Sequence, residues 1–123
     1  MGWRMNRQIL LVDDDLLLRE VVSDYLNRFN YVVETAESAE VALTMFEPGK
    51  YRLGILDLVM PGMNGLELMK LLLEKDPNFY VIIMTGYPTV DSAYKAMVEG
   101  VSDYIIKPFR FDELLQTVQK YVP

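Results

Sequence analysis

The chain has 123 residues, 51% of them hydrophobic and 24% charged, with a formal net charge of −6, a composition that fits one folded domain with a real core. The acidic balance argues against non-specific nucleic-acid binding, which needs clustered Lys and Arg, and against attachment to an anionic membrane surface. With neither cysteine nor histidine present, disulfides, thiol nucleophiles, zinc–cysteine sites, histidine bases and imidazole ligands are excluded.

Chemistry is therefore left to Asp, Glu, Lys, Thr, Ser and Tyr, with or without a hard metal ion. No apolar run reaches the roughly 20 residues of a transmembrane helix. The apolar stretch near the start is too short for a signal peptide and is cut off by acid. The expected location is the cytoplasm. Met5 is an alternative start. Residues 1–7 are expected to be a disordered or artificially added N-terminus, with 1–123 forming a single domain.

In chain order, QILLV (8–12) predicts a buried strand, short and apolar between polar neighbours. A helical pattern starts at Asp14, with Leu18, Val21, Val22, Tyr25, Leu26 and Phe29 on the apolar stripe and Arg19, Glu20, Ser23 and Asp24 facing away. YVVET (31–35) predicts the second strand. Ser38 caps a helix running to Phe46, with Pro48-Gly49 as its stop. RLGILD (52–57) predicts the third strand, LVMPGMNG (58–65) a loop, and LELMKLLLEK (66–75) the third helix. YVIIM (80–84), the loop TGYPT (85–89) and VDSAYKAMVE (90–99) follow, with Gly100 ending the helix. DYIIK (103–107), Pro108 and FDELLQTVQKYV (111–122) supply the last strand and helix.

Five strands alternating with five helices imply a parallel sheet covered by helices on both faces, an α/β (βα)5 fold. The matching doubly wound class is flavodoxin-like, with strand order 2-1-3-4-5, and ligands in that class bind beyond the carboxyl ends of the strands. Those ends carry Asp13, Asp14 and Asp15 on strand one, Asp57 on strand three, Thr85-Gly86 on strand four and Lys107-Pro108 on strand five. In that order Asp57 lies centrally, and Lys107 reaches it only by its long side chain. Crowded carboxylates repel one another unless a cation intervenes. Lys107 is one such cation and a magnesium ion is the natural second, since all the donors are oxygens. Asp57 is then placed to act as a nucleophile toward phosphorus, with Lys107 and the Thr85 hydroxyl stabilising the charge on the phosphoryl group. Each piece also has a plain reading. Aspartates after a strand cap helices, Thr85-Gly86 is an ordinary loop, and Lys107-Pro108 is a turn.

Taken together, LLVDDD, ILDLVMPGMNG, MTGYPT and DYIIKPF resemble the four signature stretches of a response-regulator receiver domain of two-component signalling, over about Gln8 to Tyr121. The last two stretches most resemble receivers of transcriptional activators of the nitrogen-regulation type. The resemblance implies a phosphorylation-activated switch that accepts a phosphoryl group on Asp57 from a phosphohistidine of a sensor histidine kinase or phosphotransfer protein. It implies that Asp14 ligates Mg2+ directly, that Asp13 acts mainly through water, and that the Val59 carbonyl is a further ligand. Thr85 becomes the switch hydroxyl, Tyr104 the aromatic whose rotamer follows it, and Lys107 the partner of the new phosphate, through a cis peptide to Pro108. Asp15 reads better as an acid at a helix N-terminus. The chain would catalyse its own phosphorylation and slow dephosphorylation without being a conventional enzyme. Val59 and Tyr87 stand two residues after the acceptor and the switch Thr, where receivers tune hydrolysis, and imply a long-lived phosphorylated state.

Leu16 and Leu17 beside the acids suit docking of a kinase helical hairpin. Tyr94 and Val98 lie on a face of the fourth helix, fifth strand and fifth helix that suits a homodimer or partner. An alternative is a haloacid-dehalogenase-type phosphatase, whose Asp-x-Asp signature Asp13-Asp14-Asp15 fits, although a further acidic pair near the C-terminus is missing. A flavodoxin-like FMN site is opposed by three aspartates where the phosphate would sit. An inactive receiver-like scaffold is opposed by the complete acid, Thr and Lys set.

Overall fold

The structure is a computed structural model that describes residues 6–123. Its elements are β1 (Gln8–Val12), α1 (Leu16–Asn27), β2 (Val32–Ala36), α2 (Ala39–Met45), β3 (Leu53–Asp57), α3 (Gly65–Lys75), β4 (Tyr80–Thr85), α4 (Val90–Glu99), β5 (Asp103–Ile106) and α5 (Phe111–Tyr121). All strands pair in parallel in the order β2-β1-β3-β4-β5, the flavodoxin-like arrangement expected from the alternation.

The period-two alternation of side chains feeds a core on each face of the sheet. Ile9 and Leu11 of β1, Ile55 of β3 and Ile82 and Met84 of β4 pack with Val22 and Leu26 of α1 and Leu114 and Val118 of α5. Leu10, Val12, Leu56, Val81 and Ile83 pack on the opposite face with Ala39 and Ala42 of α2 and Leu68, Met69 and Leu72 of α3. Burial on both faces explains why the central strands read as unbroken apolar runs. α4 rests beside α3 and buries only Ala96 completely. No helix among the described residues is long and apolar enough to cross a membrane.

Local chemistry sets the boundaries. The Ser38 hydroxyl accepts from the Val41 N–H at 3.1 Å, and Asn64 and Glu67 form a reciprocal capping box on α3. Gly100 ends α4 at φ +98°. Tyr31, expected in the second strand, instead precedes it, and its buried hydroxyl donates to the Val122 carbonyl at 2.5 Å. Val21 and Phe29 leave the expected buried stripe, both 39% exposed. Val21 is about 100° around the helix from Val22, and Phe29 lies past the end of α1, where helical spacing no longer applies.

Of residues 1–7, expected to be a disordered or added N-terminus, 1–5 lie outside the described residues, as does the alternative start at Met5. Asn6 and Arg7 depart from that expectation, because their side chains are tied to the fold. The Asn6 amide donates to the Lys50 carbonyl at 3.1 Å. The Arg7 guanidinium lies over the Tyr31 ring and donates to the carbonyls of Phe29, Asn30 and Pro123.

Gly65 opens α3 where it meets the end of β3. A Cβ there would run into the Asp57 backbone carbonyl, which cannot retreat without moving the Asp57 side chain. Gly65→Ala is expected to cost about 1 to 3 kcal/mol, the usual penalty for overpacking, seen as a lower urea midpoint with an unchanged slope.

Candidate functional site

The carboxyl ends of β1 and β3 and the segment after β5 meet over a cleft of about 420 Å³ lined by Asp13, Asp14, Asp15, Asp57, Val59, Gly86, Tyr87 and Lys107. The three consecutive aspartates have three different roles. Asp13 is fully buried. It accepts from the Asp15 N–H through Oδ1 and from the Lys107 ammonium through Oδ2 at 2.8 Å. Asp14 is exposed at the mouth of the cleft. Asp15 is the N-cap of α1, its carboxylate accepting from the Leu18 N–H at 3.2 Å, so the helix starts at Leu16 rather than at Asp14.

Lys107 Nζ lies 3.4 Å from Asp57 Oδ1. Sequence position alone aimed it at Asp57, yet its closer partner is Asp13, the fully buried carboxylate with the greater need of a counterion. Burial pushes the Asp57 carboxyl up, and repulsion from Asp13 adds to it. Lys107 and the Val59 N–H offset this only in part, and the group rises to about 6. Burial disfavours the Lys107 ammonium too, but Asp13 and then Asp57 outweigh it and hold the group above its ordinary value.

One oxygen from each of Asp13, Asp14 and Asp57 lies within 4.8 Å of the others. Three carboxylates against one ammonium leave the cleft strongly negative. The donors are hard oxygens, and one of them faces solvent, so the set fits a magnesium ion that keeps part of its water shell. Val59 stands at the rim, 52% exposed.

The remaining expected residues lie close by but do not line the cleft. Thr85 is buried at the end of β4, and its Oγ1 accepts from the Tyr87 N–H at 3.0 Å. The side chain of Tyr104 packs into the α2–α3 core, and its hydroxyl lies 3.1 Å from Ser92 Oγ on α4. The Lys107–Pro108 peptide is cis. Leu16 and Leu17 project into solvent beside the acids, 60% and 68% exposed. In the sequence Arg19 belongs only to the polar face of the first helix. Its guanidinium donates to the Asp13 carbonyl at 2.8 Å and braces the turn that presents the acids.

The response regulator receiver domain family matches residues 9–119. The response regulator protein FleR of Pseudomonas aeruginosa is 39% identical over 95% of this chain. Sporulation initiation phosphotransferase F of Bacillus subtilis is 34% identical over 97%. The C4-dicarboxylate transport transcriptional regulatory protein DctD of Rhizobium meliloti is 34% identical over 91%. The chain spans about a quarter of the length of FleR and DctD and 96% of the sporulation phosphotransferase. Among solved structures, a CheY-like response regulator receiver domain protein from Methanospirillum hungatei superposes with a TM-score of 0.90 at 28% identity, covering 94% of this chain and 93% of that one.

The raised Asp57 group fixes a pH dependence. Because its folded value lies above the unfolded one, ionisation costs stability, increasingly as pH rises from about 4 and fully above about 6. With magnesium chelated, Asp57→Asn is expected to be more stable than wild type at pH 7.5, by up to about 3 kcal/mol. The advantage should shrink as pH falls toward 4. Thermal melts at the two pH values measure this, and a pH-independent difference would contradict it.

Proposed function

The chain belongs to the response regulator receiver domain family, phosphorylation-dependent signalling switches, and we propose that its 1–123 span acts as one receiver unit with Asp57 as the phosphoryl acceptor. The reading is carried by the meeting of Asp13, Asp14 and Asp57 around Lys107 in one cleft.

In the proposed reaction an Asp57 carboxylate oxygen attacks the phosphorus of a phosphohistidine on a histidine kinase or phosphotransfer protein. The P–N bond breaks as the P–O bond forms, and the imidazole leaves. The attacking group must be ionised, although burial favours its protonated form, so Lys107 sustains both the carboxylate and the charge on the transferred group. Asp14, Asp13, Asp57 and the Val59 carbonyl would hold Mg2+, which supplies positive charge against the phosphoryl oxygens when bound. Both Asp13 oxygens are already engaged, which favours Asp14 as the direct ligand and Asp13 as one acting through water. The new phosphate would draw Lys107 toward itself and the Thr85 hydroxyl away from the Tyr87 N–H, and Tyr104 would follow by leaving Ser92.

Leu16 and Leu17 give a kinase or phosphotransfer helix an apolar foothold beside the cleft. The exposed Tyr94 and Val98 of α4 favour a homodimer or output partner on the α4–β5–α5 face. The cysteine-free sequence suits the reducing cytoplasm. The haloacid-dehalogenase alternative is not favoured, because the Asp15 it needs is occupied in capping α1.

Intact mass after exposure to magnesium and acetyl phosphate tests the acceptor. One phosphoryl adduct is expected on wild type, none on Asp57→Asn and none with magnesium chelated. Phosphate-ester turnover without an adduct would overturn the reading. The rim bears on the second half of the cycle. Val59 cannot orient an attacking water as an amide can, and the exposed Tyr87 lines the same cleft. Val59→Asn is expected to speed loss of the adduct severalfold, and an unchanged or slower rate would sink the proposed long-lived state.

A further inference from the structure

A second concavity lies at the opposite end of the sheet, where β4 and β5 begin. It is a groove of about 650 Å³ lined by Arg52, Leu73, Pro77, Asn78, Phe79, Tyr80, Gly100 and Ser102. Arg52 is its only charged lining residue. Five arginines lie among the described residues, and four of them are engaged. Arg7 and Arg19 donate to backbone carbonyls, and Arg28 and Arg110 pair with Asp24 and Asp112. Arg52 has no carboxylate partner among the described residues, and its Nε is buried without an acceptor. Its guanidinium is held by the face of Tyr80, 4.9 Å from the ring centroid.

A buried donor without a partner calls for an explanation. Asp76, which precedes the lining residue Pro77 in the chain, turns its oxygens to the N–H groups of Gly49 and Asn78. In a chain of net charge −6, a cation left unpaired in a concave, partly aromatic pocket is the exception.

We propose that this groove binds a small ligand through an oxyanion group, a carboxylate or a phosphate, with the Arg52 guanidinium as the anchor. Planar N–H donors suit a two-oxygen acceptor, and Tyr80 holds the guanidinium in place before the ligand arrives. Asn78 and Ser102 offer polar side chains on the same wall, and Leu73, Pro77 and Phe79 offer an apolar floor for the body of the ligand. Arg52 and Asp57 lie at opposite ends of β3, about 16 Å apart at strand rise, so the groove is separate from the acidic cleft and the inference does not rest on the phosphorylation reading.

Titration of the full chain, with magnesium chelated and ionic strength held constant, tests this by amide NMR with two probes, inorganic phosphate and benzoate. Saturable shifts centred on Asn78, Tyr80, Gly100 and Ser102 are expected for at least one probe. Phosphate alone would mark a phosphoryl ligand and benzoate alone a carboxylate. Arg52→Gln should weaken the response about tenfold or more, as loss of a charge-assisted contact does, while leaving acetyl phosphate labelling of Asp57 intact. Asn78→Asp provides a second variant that does not touch the guanidinium, and it should block the probes by giving Arg52 a carboxylate of its own. The inference is overturned if neither probe shifts these amides beyond a chloride control, or if both variants respond like wild type. The buried Nε would then be satisfied within the chain, where Gln8 Oε1 is also unpartnered and its residue's carbonyl already accepts from the Arg52 N–H.

Discussion

Everything at the working end of this molecule depends on how few positive charges stand against its carboxylates. Asp13, Asp14 and Asp57 converge within 4.8 Å, and among the described residues only the Lys107 ammonium pairs with their carboxylates. Asp13 and Asp57 are buried, so neither can rely on bulk water to screen the repulsion. Burial, and then repulsion from Asp13, raise the Asp57 group to about 6, because Lys107, which sits closer to Asp13, offsets them only in part. A structure optimised for stability alone would not keep such a group, since removing one carboxylate would relieve it. Retaining it makes sense where a cation and a transferred phosphoryl group later occupy the cleft. On the proposed reading, the uncompensated charge of the resting site is what a bound cation and a transferred phosphoryl group would relieve.

The sheet holds this arrangement rigid. β1 and β3 are buried on both faces by residues that alternate between two cores, so their carboxyl ends cannot drift apart to ease the repulsion. The close approach of Gly65 to the Asp57 carbonyl fixes α3 against β3, and the Asp15 cap together with the Arg19 contact fixes the turn after β1. At the other end of the fold, Arg7 and Tyr31 gather the carbonyls of Phe29, Asn30, Val122 and Pro123. This fastens the last residues of the chain to the start of the sheet. Packing thus resists motion at the strand ends, while α4, with a single fully buried residue, is the helix least committed to the core.

The strands and helices were legible because short, unbroken apolar runs give way at each boundary to apolar residues spaced three or four apart. The cleft was legible because strand-end residues in a doubly wound sheet meet whatever the detailed packing. What the sequence did not reveal depends on side-chain direction or distant partners. Three adjacent aspartates look alike in a sequence, yet they are respectively buried, exposed and engaged as a cap. Lys107 could be aimed at the site but not divided between Asp13 and Asp57. Tyr31 reads as the start of a strand because the carbonyl that claims its hydroxyl lies 91 residues away. Arg52 reads as the polar first residue of a strand, and only the absence of a partner in three dimensions distinguishes it from the other arginines.

The two ends of β3 are thus opposites. One end gathers carboxylates with too little positive charge. The other presents a guanidinium that has no carboxylate partner among the described residues, in a groove whose lining holds no acid. Both imbalances are local, and neither follows from the net charge of −6, which would favour more counterions at the first end and none free at the second. An uncompensated charge in a concave, partly dehydrated place is costly to maintain. Where the fold keeps one, the missing counter-charge is best sought in something that binds. That argument leads to a cation at the acidic end, and applied with the sign reversed it leads to an anion at the other.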